Sequence, residues 1–177
     1  MFRIGFGTDI HRLVAGMPLI LGGVRIESDL GGDGHSDADV LMHAAADAVL
    51  GSLALGDLGT HFPNEEERWR NAESSQFVNY AVGLIKEKGY SIANMDTVID
   101  LELPKLRPHI DSMRANLAAA LEVDIDQVSI KAKTGEKVDA IGERRAVRAQ
   151  AIVLLYKEDA EDFLPQINAD DADPKKN

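Results

Sequence analysis

The chain has 177 residues, 45% of them hydrophobic, enough for one domain with a substantial core and too few for two of ordinary size. A formal net charge of -11 argues against binding duplex nucleic acid, which is gripped through lysine and arginine. No apolar run reaches the roughly 18 residues of a membrane span and no secretory leader opens the chain, so a cytoplasmic protein with no membrane partner is expected.

In chain order, Arg3 to His11 is β-prone, and Pro18 to Ile26 reads as a second extended segment broken at Gly22-Gly23. Gly31, Gly32 and Gly34 mark a flexible loop that ends at Ser36, where Ser36-Asp37-Ala38-Asp39 has the spacing of a capping box. The helix it opens runs to about Leu50, with Val40, Leu41, Ala44, Ala45 and Ala48 on its apolar face and Asp39, His43 and Asp47 in one polar stripe. A second helix spans roughly Glu73 to Lys88 and buries Phe77, Tyr80, Ala81, Leu84 and Ile85 before Gly89. Alternation predicts a two-faced strand from Asn94 to Leu103, and Pro108 begins a third helix. Strands at Gln127 to Lys133 and Ala146 to Tyr156 follow.

That order predicts an α/β sandwich, an α+β arrangement with helices on one face of a mainly four-stranded sheet. Val98, Ile152 and Leu154 would leave the other face partly apolar, which oligomerisation would cover. Residues 1–157 form the expected single domain. Segment 158–177, with seven acids and two lysines, reads as a flexible acidic tail.

With no cysteine, a transition-metal site must be built from His, Asp and Glu. Asp9 and His11, two apart on a strand, emerge on one face, a natural metal platform, although such a pair is more often a plain surface or hydrogen-bonded one. His43 sits between carboxylates one helical turn away on either side, and Asp39 or Asp47 could hold its second ring nitrogen; the alternative is an ordinary solvated helix face. If the three converge they make an N/O site in which zinc keeps a fourth position open. Glu136, in a charged turn after a strand, is a hard oxygen ligand suited to magnesium, or merely exposed. His35 and Ser36 could offer an imidazole, a hydroxyl and free N–H groups to an anion, or only cap a helix. Asp57, bracketed by Gly56 and Gly59, could accept hydroxyls or serve its own turn.

Gly5-x-Gly7-x-Asp9-x-His11, Gly22-Gly23-Val24, His35-Ser36-Asp37-x-Asp39, His43, Gly56-Asp57-Leu58-Gly59, Phe62-Pro63, Pro104-Lys105, Pro108-His109 and Glu136-Lys137 occur in an order that resembles the 2-C-methyl-D-erythritol 2,4-cyclodiphosphate synthases, from about Arg3 to Tyr156. The resemblance implies a homotrimer with sheets packed around a threefold axis and active sites between subunits. It implies Asp9, His11 and His43 as ligands of one divalent transition metal per subunit, zinc first, and Glu136 as ligand of magnesium or manganese at the substrate diphosphate. His35 and Thr134 would stabilise the transition state. The CDP-linked substrate would meet Asp9, Ile10, His11, His35, Ser36, Asp57, Leu58 and Gly59, with Phe62, Pro63 and Asn64 lining the erythritol pocket. Leu101, Pro104, Lys105 and Leu106 would hold the cytidine and its phosphates together with Lys133, Thr134, Gly135 and Glu136. The implied reaction is intramolecular: the 2-phosphate attacks the β-phosphorus and CMP leaves.

Lys133 and Gly135 stand where threonines are usual in that family, and Asn64 where an Asp is usual. After Glu136 the run Val138 to Ala146 departs further, with Glu143 at the place of an arginine that serves an axial isoprenoid diphosphate cavity, so weak binding there is expected. Two other readings are a related divalent-metal phosphohydrolase, with water as nucleophile, and a trimeric nucleotide-binding scaffold without catalysis.

Overall fold

Close backbone packing between the first strand and the first helix sets the geometry of the domain. The computed structural model describes residues 1–63, 66–70 and 72–157; the predicted tail, and Asn64, lie outside the described residues. In chain order the elements are β1 (Phe2–Ala15), β2 (Leu19–Leu21), β3 (Val24–Ile26), β4 (Leu30–Asp33), α1 (Val40–Ser52), α2 (Leu58–His61), α3 (Ser75–Glu87), β5 (Ser91–Asp100), α4 (Ile110–Leu121), β6 (Val128–Lys133), α5 (Asp139–Gly142) and β7 (Ala146–Tyr156). A Cβ added at Gly5 would lie 1.8 Å from the Ala48 carbonyl oxygen and one at Gly7 2.1 Å from that of Ala44, so α1 rests directly on the backbone of β1.

The main sheet has five strands, ordered β4-β1-β7-β5-β6, where four were expected. The extra strand is the glycine-rich segment read as a flexible loop: Leu30–Asp33 pairs antiparallel with β1 over Arg12 to Ala15. Its glycines serve packing, since a side chain at Gly31 would meet the Met17 carbonyl oxygen at 2.2 Å. Residues 18–26 fold as a separate two-stranded hairpin, turned at Gly22 (φ 57°) and Gly23 (φ 69°). β7 lies between β1 and β5, antiparallel to both, and β5 and β6 form the one parallel pair among the described strands.

Helix α1 is buried around almost its whole circumference, between the sheet and α3; of its residues only His43, Asp47 and Gly51 escape full burial. Its N-cap is Asp39, three residues later than the expected Ser36, because the Asp39 side chain accepts the Leu41 and Met42 N–H groups. In α3 the buried face is Phe77, Val78, Ala81, Val82 and Ile85, with Tyr80 exposed and Leu84 half-buried. β5 ends at Asp100, so Leu101 to Leu106 form a connection beyond the strand, with Leu101 buried and Leu103 exposed. A 3-10 turn at Arg107–His109 precedes α4.

The face of the sheet away from α1 is apolar and uncovered: Ile4 is 71% exposed, with Phe2, Phe6, Ile10 and Ile152 also exposed beside half-buried Val98 and Leu154. Among the described residues no helix is long and apolar enough to cross a membrane.

Candidate active site

Three side chains from β1 and α1 converge. Asp9 and His11 leave the same face of β1, and His43 projects from the one flank of α1 that is not packed. Asp9 Oδ2 is 2.8 Å from His43 Nδ1 and 3.0 Å from His11 Nε2, and the two ring nitrogens are 3.3 Å apart. Donor atoms of all three lie within 4.8 Å of one another, and two imidazole nitrogens with one carboxylate oxygen are a donor set that fits a divalent transition metal. Burial pushes the Asp9 carboxyl up, but hydrogen bonds from both imidazoles, and their charge, outweigh it and hold it well below the usual carboxylate range. Burial opposes charge on His11 as well, yet the bond to Asp9 and that carboxylate's charge raise its pKa.

Each imidazole is oriented from its far side. His11 Nδ1 lies 3.1 Å from the Asp33 carbonyl oxygen; a carbonyl can only accept, so Nδ1 carries a proton, and Nε2, which donates to Asp9 in the metal-free chain, is the nitrogen left to a cation. The strand that sequence reasoning took for a loop therefore supplies this acceptor. His43 is held by neither Asp39 nor Asp47. Asp39 is fully buried and bound to backbone N–H groups, and Asp47 accepts the Leu58 N–H at 2.8 Å. His43 Nε2 instead meets Ser74 Oγ at 2.8 Å and Ser36 Oγ at 3.1 Å. Ser74 has no sequence signal beyond its place before a helix, where it reads as a cap; its side chain makes no cap hydrogen bond.

The cluster opens into a cavity of about 360 Å³ that also takes in His35, Ser36, Asp57, Leu58, Gly59 and Phe62. Asp47 fixes the position of α2 through Leu58; burial pushes the Asp47 carboxyl up, the Leu58 N–H partly offsets this, and the charges of Asp57 and Asp9 add to it. Exposed Asp57 caps α2 by accepting the Thr60 hydroxyl at 2.8 Å and N–H at 2.9 Å, which lower its pKa. Phe62 packs against Trp69 and Phe77, with ring centroids 4.9 and 4.6 Å away, and makes the apolar wall. Trp69 and Phe77 were not among the expected lining residues. His35 Nε2 lies 3.3 Å from the Glu66 carbonyl oxygen. The N–H groups of Leu41 and Met42 are taken by Asp39, so they are not free for an anion as the early helix start implied. Ile10 points to the opposite face of the sheet and Pro63 lies outside the cavity lining.

A second cavity, about 650 Å³, lies at the ends of β5 and β6 and gathers Leu101, Pro104, Lys105 and Leu106 with Lys133, Thr134 and Glu136. The Leu101 N–H donates to the Lys133 carbonyl at 2.9 Å, so the two segments are stitched together. Thr134 Oγ1 donates to Glu136 Oε1 at 2.5 Å, and Glu136 and Lys137 both hold left-handed backbone, φ 49° and 62°. Gly135 does not line the cavity: a Cβ there would sit 2.4 Å from the Gly142 nitrogen, so a threonine cannot be placed without moving α5. Beyond it Glu143 pairs with Arg145 at 2.6 Å, and Arg144 pairs with Asp29. The residues expected to act on one substrate are thus divided between two cavities of the chain, His35 in the first and Thr134 in the second.

A five-stranded mixed sheet carrying a two-histidine, one-carboxylate cluster at its helix-covered face defines an α/β enzyme class with a metal-ready centre. The chain belongs to the YgbB family, which it matches over residues 2–156. Among its relatives, a 2-C-methyl-D-erythritol 2,4-cyclodiphosphate synthase of Synechococcus elongatus is 50% identical over 157 residues, covering 89% of this chain and 98% of that one. The synthase of Salinibacter ruber is 53% identical over 153 residues, covering 86% and 98%. A solved structure of 2C-methyl-D-erythritol-2,4-cyclodiphosphate synthase in a CDP-bound form superposes with a TM-score of 0.81 at 38% identity, covering 87% of this chain and all of that one. The chain is accordingly an enzyme of this synthase family, a phosphorus-oxygen lyase.

Proposed function

We propose that the chain converts 4-diphosphocytidyl-2-C-methyl-D-erythritol 2-phosphate to 2-C-methyl-D-erythritol 2,4-cyclodiphosphate and CMP, within isoprenoid precursor biosynthesis. The observation that carries this reading is the convergence of Asp9, His11 and His43 in the cavity that also holds Asp57, Leu58 and Gly59. An oxygen of the 2-phosphate forms the new bond to the β-phosphorus, and the bond from that phosphorus to the bridging oxygen breaks, the oxygen leaving with CMP. Both reacting groups belong to one molecule, so tethering supplies effective concentration and no protein nucleophile is needed.

Asp57 orients the erythritol hydroxyls, and the Phe62 wall excludes water from the reacting phosphates. Leu101 to Leu106 cradle the cytidine, and Lys133 and Lys105 meet its phosphates. His35 donates a hydrogen bond to the phosphoryl oxygens as charge builds, and Thr134 does so by turning its one hydroxyl proton from Glu136 to the substrate. Divalent cations, zinc at the triad and magnesium or manganese at Glu136, supply the positive charge that an acidic chain lacks. The exposed apolar sheet face supports a homotrimer with that face around its axis, and the division of site residues between two cavities supports sites built between neighbouring subunits. Glu143, an anion paired with Arg145, supports weak binding of isoprenoid diphosphates in the axial cavity that such a trimer would form.

Incubation with the CDP-linked substrate, followed by phosphorus NMR, tests the reading. Cyclic diphosphate and CMP are expected; free phosphate would reveal a hydrolase, and unchanged substrate a non-catalytic scaffold.

A further inference from the structure

We propose that Ser74, locked by Asp37, is the positioning residue that fixes the tautomer of His43 and turns its Nδ1 lone pair toward the metal site. This rests on the metal centre of the proposed function. Ser74 is fully buried, and its Oγ touches both partners: it lies 2.8 Å from His43 Nε2 and hydrogen-bonds Asp37 Oδ1. Asp37 is pinned at its other oxygen as well, where Oδ2 accepts the Ser74 backbone N–H at 3.0 Å.

The direction of each hydrogen bond follows from the inventory of protons. A carboxylate can only accept, so the single hydroxyl proton of Ser74 goes to Asp37. The Ser74 oxygen is then left with lone pairs alone, and His43 Nε2 must be the donor to it. With Nε2 held as a donor, Nδ1 is the nitrogen a cation can take; in the metal-free chain it stands 2.8 Å from Asp9 Oδ2, donating to that carboxylate a proton that a bound cation would replace. A serine without Asp37 could turn its proton toward Nε2 and select the opposite tautomer. Ser36 is such a serine: its Oγ is 3.1 Å from the same nitrogen, but among the described residues no carboxylate holds it, and it accepts the Ala38 N–H instead. The same arrangement ties the start of α3 to the metal ligand on α1, since Asp37 also donates its own N–H to the Ala72 carbonyl at 3.1 Å.

Cobalt(II) is a suitable probe, because it takes the same N/O donors and its visible spectrum reports their arrangement. Ser74→Ala is expected to bind cobalt about 10–100-fold more weakly than wild type, with an altered spectrum. Ser74→Thr, which restores the hydroxyl, is expected to recover most of the affinity. Thermal unfolding of the metal-free variants separates this from a loss of fold, since a purely structural role lowers the midpoint and leaves the affinity and spectrum of the folded protein alone. A second measurement needs no variant: in zinc-loaded wild type, two-bond proton–nitrogen spectra should show His43 protonated at Nε2 and ligated through Nδ1. Wild-type cobalt affinity and spectrum in folded Ser74→Ala, or ligation through Nε2, overturns the proposal while leaving the metal centre standing. Failure of the wild-type protein to bind cobalt at all overturns the centre and the proposal with it.

Discussion

Asp39 is a carboxylate with no exposed surface, satisfied by four backbone N–H groups: Gly22 at 3.0 Å, Gly23 at 2.7 Å, Leu41 at 3.1 Å and Met42 at 3.2 Å. Burial pushes its pKa up from 3.8 to about 6, the backbone donors offset part of this, and the charge of Asp37 adds to it. The folded chain therefore holds a proton between about 4 and 6 that the unfolded chain has lost, so the Asp39 contribution is fully present below the unfolded pKa and declines as pH rises through about 6. Asp39→Asn removes that titration, and its amide turns donors toward donors, at a cost of about 1–3 kcal/mol. In urea unfolding the stability advantage of wild type over the variant should shrink as pH rises from about 4 to 6; an advantage that grows with pH refutes the assignment. Glu136→Gln is expected to keep the zinc content while weakening the response to magnesium roughly tenfold, because an amide is a poorer ligand for a hard cation. Metal analysis and a magnesium titration of CMP release decide it. Asp9 with His11, and His43 by itself, stood out through two-residue spacing on a strand and a place in a helical stripe, whereas their convergence was implied only by the family resemblance. Ser74 did not stand out, because its contact with His43 joins residues 31 apart in sequence and no periodicity records it.

At the scale of elements, the glycines divide by what stands against them. Gly7→Ala forces a methyl into the Ala44 carbonyl, 2.1 Å away, and should cost about 3 kcal/mol or more, since strand and helix must separate. Gly83, in α3 with nothing within 4 Å, is the control, and Gly83→Ala should stabilise by up to about 1 kcal/mol. Urea midpoints of the two variants are expected to move in opposite directions. The sequence of β4 misled because glycine propensity speaks for flexibility, whereas Gly31 and Gly32 admit Met17, Pro18 and Ala38. The start of α1 misled for a related reason: Ser36 and Asp39 are both good caps, and only the hairpin turn at Gly22 and Gly23, bound to the Asp39 carboxylate, selects the later one. Boundaries of α3 and β7, where apolar periodicity is uninterrupted, were read closely.

For the whole molecule, the alternation of strands and helices gave the α/β class and the uncovered apolar face, while the order of strands, set by contacts far apart in sequence, stayed hidden. That order separates the two cavities. Asp9 is level with Ala149 of β7, which is level with Ile99 of β5, so at roughly 4.8 Å per strand the triad lies on the order of 10 Å from the strand leading to the second cavity. For the proposed sites between subunits, Asp9→Asn chains and Lys133→Glu chains, each inactive alone, should regain activity when unfolded and refolded together. Random assembly from equal amounts gives roughly a quarter of sites an intact triad facing an intact pocket. Activity no greater than the sum of the two separate mutants, in demonstrated heterotrimers, would place each site within one chain. The strand β7 between the cavities then has a genetic reading. Missense alleles of this gene that inactivate the enzyme without unfolding it should fall into two complementation groups, one mapping to the triad side of β7 and one to the β5–β6 side, and a cell carrying one of each should grow where either alone does not.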